Sequence, residues 1–215
     1  MLDRIRSAAN EALSLFLPVE CAGCGAPDRA VCSECQRLLE PTVVQRTTPG
    51  GLPCFTALRY EAEVRRVILA FKEENRTDLA RAFALALRAA LLAAPDDCEV
   101  LAVPTSREAF RRRGFDPVRS LASAAGYRTR AELVIANSSR QKALSVEARA
   151  ENRAGSMRPR RSLAGRRFVL LDDVLTTGAT LDEAARAVSA ADGEVVASAA
   201  LAFTPKLFGS SASIH

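Results

Sequence analysis

The chain has 215 residues, of which 48% are hydrophobic, so it is long enough for one compact domain plus a small extra module. Its net charge of +5 is uneven, because residues 101–170 hold 16 Lys and Arg against 5 Asp and Glu. This excess indicates an anionic partner, either phosphates or nucleic acid, although solvated helix faces in an arginine-rich chain would give the same count. The longest apolar stretch, residues 79–94, contains two arginines and is too short and too charged to span a bilayer. No secretory signal is visible, so we expect no membrane insertion and a cytoplasmic location.

The N-terminal region combines a helix with cysteine pairs. Apolar residues recur at helical spacing over residues 1–17, which predicts an amphipathic helix. Two Cys-x-x-Cys pairs follow, formed by Cys21, Cys24, Cys32 and Cys35. Two such hairpins can present four thiolates to one tetrahedral Zn²⁺, so residues 18–40 are predicted to form a small structural zinc module. Disulfide bonds and an iron–sulfur cluster are the alternatives for the same four residues.

Short apolar runs alternate with amphipathic stretches through the body of the chain. Helices are predicted at residues 61–72, 77–94, 116–125 and 181–191, and strands at residues 99–104, 132–136, 167–171 and 194–203. Residues 41–54 resemble a linker that leads into a strand or turn. Residues 137–162 are polar and basic, with one helix predicted near Val146–Arg153. The alternation of strands and helices indicates an α/β fold, with a parallel sheet and helices on both faces.

The most informative segment is an apolar strand followed by two aspartates, a loop rich in Thr with one Gly, and a helix. Because ligands of open parallel sheets bind beyond the carboxyl ends of the strands, this strand would deliver Asp172 and Asp173 to such a position. Their carboxylates suit two vicinal hydroxyl donors, such as those of a ribose. The threonines add hydroxyl donors, Gly178 lets backbone N–H groups turn toward an anion, and the helix N-terminus favours negative charge. The segment therefore predicts a site for a phosphorylated ribose.

Four other interpretations of this segment fit less well. A Walker B strand also ends in acidic residues, but the chain has no G-x-x-x-x-G-K-[ST] sequence. A dinucleotide-binding fold would need G-x-G-x-x-G, which is also absent, and a phosphatase with an aspartyl nucleophile would need Asp-x-Asp. A buried strand followed by a capped helix would not account for three Thr, one Gly and two acids in a single loop.

The segment Val169–Thr180, VLLDDVLTTGAT, resembles over its full length the 5-phosphoribosyl pyrophosphate (PRPP) motif of type I phosphoribosyltransferases. Further segments resemble one branch, the ComF family, which includes competence protein ComFC and the related GntX. They are the paired cysteines, Tyr60–Lys72, Val103–Phe115 and Gln141–Asn152. The resemblance implies a Rossmann-like phosphoribosyltransferase domain preceded by a zinc module. The chain departs from the family pattern at Asp116-Pro117, where Asn-Gln is usual, and at Glu73, where Phe is usual.

This resemblance implies that the chain binds PRPP together with Mg²⁺, which substrate oxygens would mainly hold. Asp172 and Asp173 would hold the ribose hydroxyls, and together with Lys72 and Arg113 they would be the catalytic residues. The 5-phosphate would be bound by Val174, Thr176, Thr177, Gly178, Ala179 and Thr180. The pyrophosphate loop would comprise Val103, Pro104, Thr105 and Ser106. The cations that neutralise the departing pyrophosphate would come from Lys72, Arg107, Arg113, Arg140 and Lys142.

The resemblance also implies a movable cover and two possible functions. Residues 137–150, with Arg140, Gln141 and Lys142, would form a hood that closes over the substrate. The chain would then transfer a phosphoribosyl group, a pentosyl transfer of the glycosyltransferase class, to an unidentified nucleophile. The family's association with competence implies an alternative, a non-catalytic PRPP sensor that binds single-stranded DNA or DNA-uptake proteins. Few aromatic residues in the basic segment argue against this alternative.

The chain is predicted to divide into four segments. These segments are residues 1–40 with the helix and zinc module, 41–95 with a linker and a helical hood region, 96–205 with the phosphoribosyltransferase-type domain, and 206–215 as a flexible tail. The sequence does not indicate the oligomeric state.

Overall fold

The computed structural model describes residues 19–136 and 155–205. Several predicted features lie outside these residues: the N-terminal helix, the helix near Val146–Arg153, the hood residues Arg140, Gln141 and Lys142, and the tail after residue 205. The strands are β1 (Val44–Thr47), β2 (Pro53–Arg59), β3 (Glu99–Ala102), β4 (Leu133–Ile135), β5 (Met157–Pro159), β6 (Arg167–Leu175) and β7 (Glu194–Phe203). The α-helices are α1 (Ser33–Arg37), α2 (Ala62–Glu73), α3 (Ala84–Leu92), α4 (Arg107–Arg113), α5 (Pro117–Ala124) and α6 (Ala179–Ser189), with a 3₁₀ helix at Thr77–Arg81.

Five of these strands form one sheet in the order β1-β2-β7-β6-β3. Strands β2, β7, β6 and β3 run parallel, and β1 pairs antiparallel with β2 at one edge. The pairing of β6 with β7 runs from Arg167 opposite Glu194 to Leu175 opposite Phe203. The carboxyl end of β6 therefore lies between β3 and β7. Strands β4 and β5 form a separate antiparallel pair.

The two faces of β6 bury different side chains, as expected for alternation along a strand. Phe168 and Leu170 pack in a core with residues of α6, whereas Val169 and Leu171 pack in a core with residues of α2, α3 and α5. All four side chains are buried. Apolar burial on both faces explains why the sequence of this strand is a continuous apolar run. The predicted α/β architecture, with helices on both faces of a mainly parallel sheet, is confirmed.

Several predicted boundaries were wrong. Strand β6 continues to Leu175 rather than ending at Leu171, because its pairing with β7 continues as far as Phe203, so the two aspartates lie within the strand. Strand β3 ends at Ala102, two residues before the predicted end. The helix predicted at residues 77–94 is divided into the 3₁₀ helix and α3, and α6 begins at Ala179 rather than near residue 181.

Several elements were absent from the prediction, among them the short helix α1 within the cysteine module. The predicted linker, residues 41–54, contains β1 and the start of β2, and the segment predicted as irregular contains β5. Helix α4 follows the predicted pyrophosphate loop directly. It begins where the backbone N–H of Ala109 donates to Ser106 Oγ at 3.1 Å, and it ends at Gly114, whose φ is +74°.

Candidate functional site

The two adjacent aspartates lie at the carboxyl end of the sheet. The backbone N–H of Val103 donates to the carbonyl oxygen of Leu171 at 2.9 Å, so the segment that follows β3 begins beside Asp172. The backbone N–H of Asp173 donates to Asp172 Oδ1 at 2.8 Å, which holds this carboxylate against its own strand. Both aspartates are only partly buried. The sheet therefore presents two carboxylates at the edge where ligands of parallel α/β sheets bind.

The pKa of the Asp172 carboxyl lies well above its usual value. Burial, and then the negative charge of Asp173, raise the pKa of Asp172 to about 7. The hydrogen bond from the Asp173 N–H and the charge of Lys72 act in the opposite direction, and the charge of Asp116 adds a small further rise. Near neutral pH, the Asp172 carboxyl is therefore partly protonated, so it can both accept hydrogen bonds and donate one.

Helix α2 supplies the cation that faces these acids. Lys72 Nζ lies 2.7 Å from Asp173 Oδ2, and the two side chains are only 19% and 15% exposed. The ring of Phe71, the preceding residue, packs edge-on against Phe115 at a centroid distance of 5.3 Å. This contact joins the C-terminal part of α2 to the turn between α4 and α5. Lys72 is therefore next to a buried residue of its own helix, Phe71, which anchors this end of α2.

Glu73, the neighbour of Lys72, holds two arginines at the end of α4. Its carboxylate accepts from Arg113 at 2.5 Å and from Arg112 at 3.2 Å. The hydrogen bond from Arg113 is the main cause of a lowered pKa for Glu73. The Arg113 side chain is 14% exposed, and its buried Nε has no hydrogen-bond partner within the described ranges. Glu73 is one of the two positions where the sequence departs from the ComF pattern, and it fixes one of the predicted catalytic cations.

The loop after β6 leaves the start of helix α6 open. Thr176 and Thr177 are exposed, and Gly178 follows in the left-handed region with φ +81°. Within the described residues, helix α6 has no side-chain hydrogen bond at its N-cap, and Ala179 N makes a long contact of 3.4 Å with Thr177 Oγ1. The first N–H groups of α6 and the threonine hydroxyls thus form a set of donors suited to an anion.

The turn between β1 and β2 supports this loop. A Cβ placed on Gly178 would lie 3.0 Å from Thr48 and from Pro49, so only glycine fits here without displacement. Asp182, in the first turn of α6, accepts a short hydrogen bond from Thr48 Oγ1 and a second from Gly50 N at 2.9 Å. The supporting roles of Thr48, Gly50 and Asp182 were missed from the sequence. The Pro49-Gly50-Gly51 turn was visible there, but nothing local indicated its partner.

Three of the four residues predicted for the pyrophosphate loop, together with the predicted cation Arg107, line a cavity of about 510 Å³. Val103, Pro104, Thr105 and Arg107 all contribute to its wall. Since the backbone N–H of Val103 is hydrogen-bonded to the carbonyl oxygen of Leu171, this wall of the cavity adjoins Asp172. The structure thus brings the predicted loop to the neighbouring strand end. Of the predicted hood cations, Arg140 and Lys142 lie outside the described residues.

The sulfur atoms of Cys21, Cys24, Cys32 and Cys35 lie close together. All four lie within 4.8 Å of one another, and Cys24 Sγ is 3.6 Å from Cys32 Sγ. Tetrahedral zinc with Zn–S bonds of about 2.3 Å would place the sulfurs about 3.8 Å apart, so the cluster fits such an ion. Burial alone would raise the pKa of Cys21, but N–H groups of Cys32, Cys24 and Gly23 lower it to about 6. The four thiolates could hold one zinc ion, and a closed Cys₄ shell would make it a structural one.

The cysteine cluster touches the helix that carries Lys72. Arg66 Nε of α2 donates a short hydrogen bond to the carbonyl oxygen of Gly23. A Cβ on Gly23 would lie 2.6 Å from Cys35 Sγ and 3.3 Å from Val67, so Gly23 lies between a cysteine of the cluster and α2. The cysteine module therefore packs directly on the helix that ends at the aspartates.

A mainly parallel α/β sheet with acidic residues near the end of an inner strand, followed by a glycine turn and an open helix N-terminus, is an arrangement typical of α/β proteins that bind sugar phosphates or nucleotides. The family model for the phosphoribosyl transferase domain matches residues 91–207, more than half of the chain. The chain belongs to this family, and the predicted phosphoribosyltransferase fold is thereby confirmed. No curated protein matches the chain. None of the helices in residues 19–136 and 155–205 is long and apolar enough to cross a membrane.

Proposed function

We propose that the protein binds PRPP with Mg²⁺ and transfers its phosphoribosyl group to a nucleophile. One observation carries the proposal: Asp172 and Asp173 lie near the carboxyl end of β6, and α6, which has no side-chain cap, begins six residues after Asp173. Acceptors for two hydroxyl groups and donors for a phosphate are thus offered by one continuous segment. Membership of the phosphoribosyl transferase domain family supports the same ligand.

The ribose and its 5-phosphate occupy this segment. Asp172 and Asp173 accept hydrogen bonds from the two ribose hydroxyls. The N–H groups and hydroxyls that bind the 5-phosphate belong to Val174, Thr176, Thr177, Gly178, Ala179 and Thr180. The contacts of Gly178 with the β1–β2 turn keep this loop in place before the ligand arrives, which limits the entropy lost on binding.

The pyrophosphate lies toward the end of β3, where Val103, Pro104, Thr105 and Arg107 are available. Mg²⁺, held mainly by oxygens of PRPP, would neutralise charge that develops on the leaving pyrophosphate. Lys72 is the best placed protein cation, because it is already within 2.7 Å of Asp173. Arg113, held by Glu73, provides a second positive charge on the same side. Arg140, Gln141 and Lys142 are proposed to complete the enclosure from the hood.

The cysteine module supports a closer relationship with the ComF family. In that family, as implied by the sequence, paired Cys-x-x-Cys knuckles precede the phosphoribosyltransferase domain. Here the four sulfurs converge and the module packs on α2. We therefore propose a ComF-type phosphoribosyltransferase with structural zinc, linked to competence and DNA uptake.

The exposed residues of helix α4 favour a second candidate function, that of a non-catalytic PRPP sensor that binds single-stranded DNA. None of its residues is buried, Phe110 is 48% exposed, and Arg107, Arg111 and Arg112 are exposed around it. An exposed ring among arginines suits stacking on bases and contact with phosphates. Affinity for an oligothymidylate that falls steeply with salt, without pyrophosphate release from PRPP, would favour this candidate.

The decisive experiment is calorimetric titration with PRPP and Mg²⁺. The double variant Asp172→Asn/Asp173→Asn should lose measurable binding and keep a cooperative thermal transition. Asp96→Asn/Asp192→Asn is the matched control, because it removes two exposed acids that precede β3 and β7, at the amino ends of the parallel strands and opposite the site. It should bind PRPP as the wild type does. Wild-type affinity in the site variant would refute the assignment.

A further inference from the structure

Helix α3 is apolar on its outer face as well as on its inner one. Its inner face packs on β2 and β7 and buries Ala86, Leu87, Ala90 and Leu91. Its outer face carries Leu85 and Leu92, which are 70% and 66% exposed, the largest fractions among the large apolar residues that the structure describes. A helix that is apolar all round is normally covered on all sides. The outer face of α3 is therefore expected to have a partner.

The two exposed leucines form one stripe along the helix. They are seven residues apart, about two helical turns, so they point to the same side. Arg88 and Ala89 lie between them, and Arg88 is the only polar residue of the whole helix. Single exposed leucines are common on protein surfaces, whereas a continuous apolar stripe is typical of a contact surface. The stripe of α3, defined by Leu85, Ala89 and Leu92, is of the second kind.

Opposite charges lie at the two ends of this stripe. Arg81 precedes Leu85 by four residues, and Asp96 follows Leu92 by four residues. Both charged side chains are exposed, and neither has an ion-pair partner within residues 19–136 and 155–205. The surface is thus positive at the start of α3 and negative just after its end. Such a surface is complementary to a copy of itself turned end for end.

A shallow groove extends the stripe beyond the start of α3. The apolar side chains that line it include those of Ala30, Val31, Leu79 and Ala82. Arg29 and Arg81 also line it, and its acid among the described residues, Asp78, is already paired with Arg76 at 3.4 Å. The groove therefore suits a short segment with an apolar residue and an unpaired acid. Pro95-Asp96, the segment that follows α3, has this character.

We propose that the outer face of α3 and the adjoining groove form the interface of a two-fold symmetric homodimer. The two α3 helices pack antiparallel about an axis that passes between Arg88 and Ala89. Leu85 of each copy then contacts Leu92 of the second copy, and the stem of each Arg88 lies over the small side chain of Ala89 of the second copy.

The same axis brings the charged ends together. Arg81 and Asp96 are equally far from it along the chain, so Asp96 of the second copy lies in the groove near Arg29 and Arg81. Each ion pair occurs twice, once at either end of the interface. None of the residues to which PRPP is assigned belongs to this surface, so the dimer does not depend on the proposed function.

The first test is sedimentation equilibrium of the full chain. We expect a mass that rises with concentration toward twice the 23.0 kDa of one chain. The dissociation constant should be on the order of micromolar, because an interface of this size lies at the small end of the usual range, below about 1,200 Å². Leu85→Glu/Leu92→Glu places four like charges in the interface and should remain a monomer. Phe110→Glu/Ile135→Glu, at exposed apolar positions outside it, should dimerise as the wild type does.

The second test addresses the antiparallel arrangement. Arg81→Glu and Asp96→Arg each create two like-charged pairs in a homodimer, so each should weaken self-association at least about threefold, exposed ion pairs being individually weak. In a mixed dimer of the two variants, the introduced glutamate faces the introduced arginine, and the remaining Arg81 faces the remaining Asp96. An equimolar mixture should therefore recover the affinity of the wild type. A mixture that associates no better than the separate variants would overturn the antiparallel pairing.

Two further results would overturn the dimer itself. One is a wild-type chain that stays at 23.0 kDa up to about 1 mM. The other is a Leu85→Glu/Leu92→Glu variant that unfolds at a much lower temperature than the monomeric wild type, measured at a concentration where neither associates. That result would assign the outer face of α3 to another segment of the same chain.

Discussion

Lys72 Nζ and Asp173 Oδ2 are 2.7 Å apart, and this ion pair joins helix α2 to strand β6 of the sheet. The pair connects two parts of the chain that are 101 residues apart. It also places a cation beside the carboxylates to which we assign the ribose. A phosphate ligand that competes for the ammonium group would free the Asp173 carboxylate for a ribose hydroxyl. The ion pair is therefore expected to open when PRPP binds.

Replacing Lys72 with methionine tests this expectation. The variant should bind PRPP about tenfold more weakly or worse, because a hydrogen bond to a charged group contributes about 1.5–3 kcal/mol. Calorimetry with Mg²⁺ measures the change. Arg65→Met, on the exposed face of the same helix, should leave the affinity unchanged. An affinity for PRPP in Lys72→Met equal to that of the wild type would exclude a role for this ammonium group in binding.

The acidity of Asp172 predicts how stability depends on pH. Its pKa in the folded protein, about 7, is higher than the value of about 3.9 in an unfolded chain. Between these values the folded state binds more protons than the unfolded state, so the free energy of unfolding decreases as pH rises from about 4 to 7. Asp172→Asn should flatten this slope and should unfold at a higher temperature than the wild type at pH 8. Thermal unfolding measured from pH 5 to 8 gives both quantities, and a parallel profile for the variant would contradict the assignment.

The features that could be predicted from the sequence are those that depend on neighbours along the chain. The apolar run of β6, the Asp-Asp-x-x-Thr-Thr-Gly segment and the Asp116 cap of α5, whose carboxylate accepts from Arg119 N at 3.1 Å, are all local patterns. The cysteine cluster was likewise predicted from its spacing. Lys72 was expected near the site only through the family resemblance, since nothing local links it to Asp173.

The features that were missed depend on tertiary contacts. Strand β1 contains Arg46, which is 7% exposed and lies over the Phe203 ring at 4.1 Å, so a charged residue occupies an inward-facing position of the strand. A buried arginine of this kind obscures the alternation of apolar residues that identifies a strand. The hydrogen bond from Thr48 to Asp182 joins residues 134 positions apart and left no local signal.

The close contact at Gly178 predicts a specific cost for alanine. Gly178→Ala would strain a residue at φ +81° and would press a methyl group against Thr48 and Pro49 at 3.0 Å. We expect a loss of about 1–3 kcal/mol in the free energy of unfolding, with weaker PRPP binding. Gly165→Ala is the matched control, since Gly165 has φ +73° and no atom near the position of the added methyl group. It should lose only about 1 kcal/mol, measured in urea, and an equal loss in both variants would show that the contact with Thr48 is unimportant.

The packing of the cysteine module on α2 predicts that metal loss weakens ligand binding at a distance. Gly23 lies between Cys35 and Val67, and Arg66 donates to its carbonyl oxygen, so a disordered module would release the helix that carries Lys72. Cys32→Ser should lower the zinc content, measured by elemental analysis, lower the unfolding temperature and weaken PRPP binding, because structural zinc contributes directly to folding. Cys98→Ser, which changes a cysteine outside the cluster, should leave all three quantities unchanged. If Cys32→Ser loses zinc but keeps full affinity for PRPP, α2 is held by its own core contacts and the module does not act on the site.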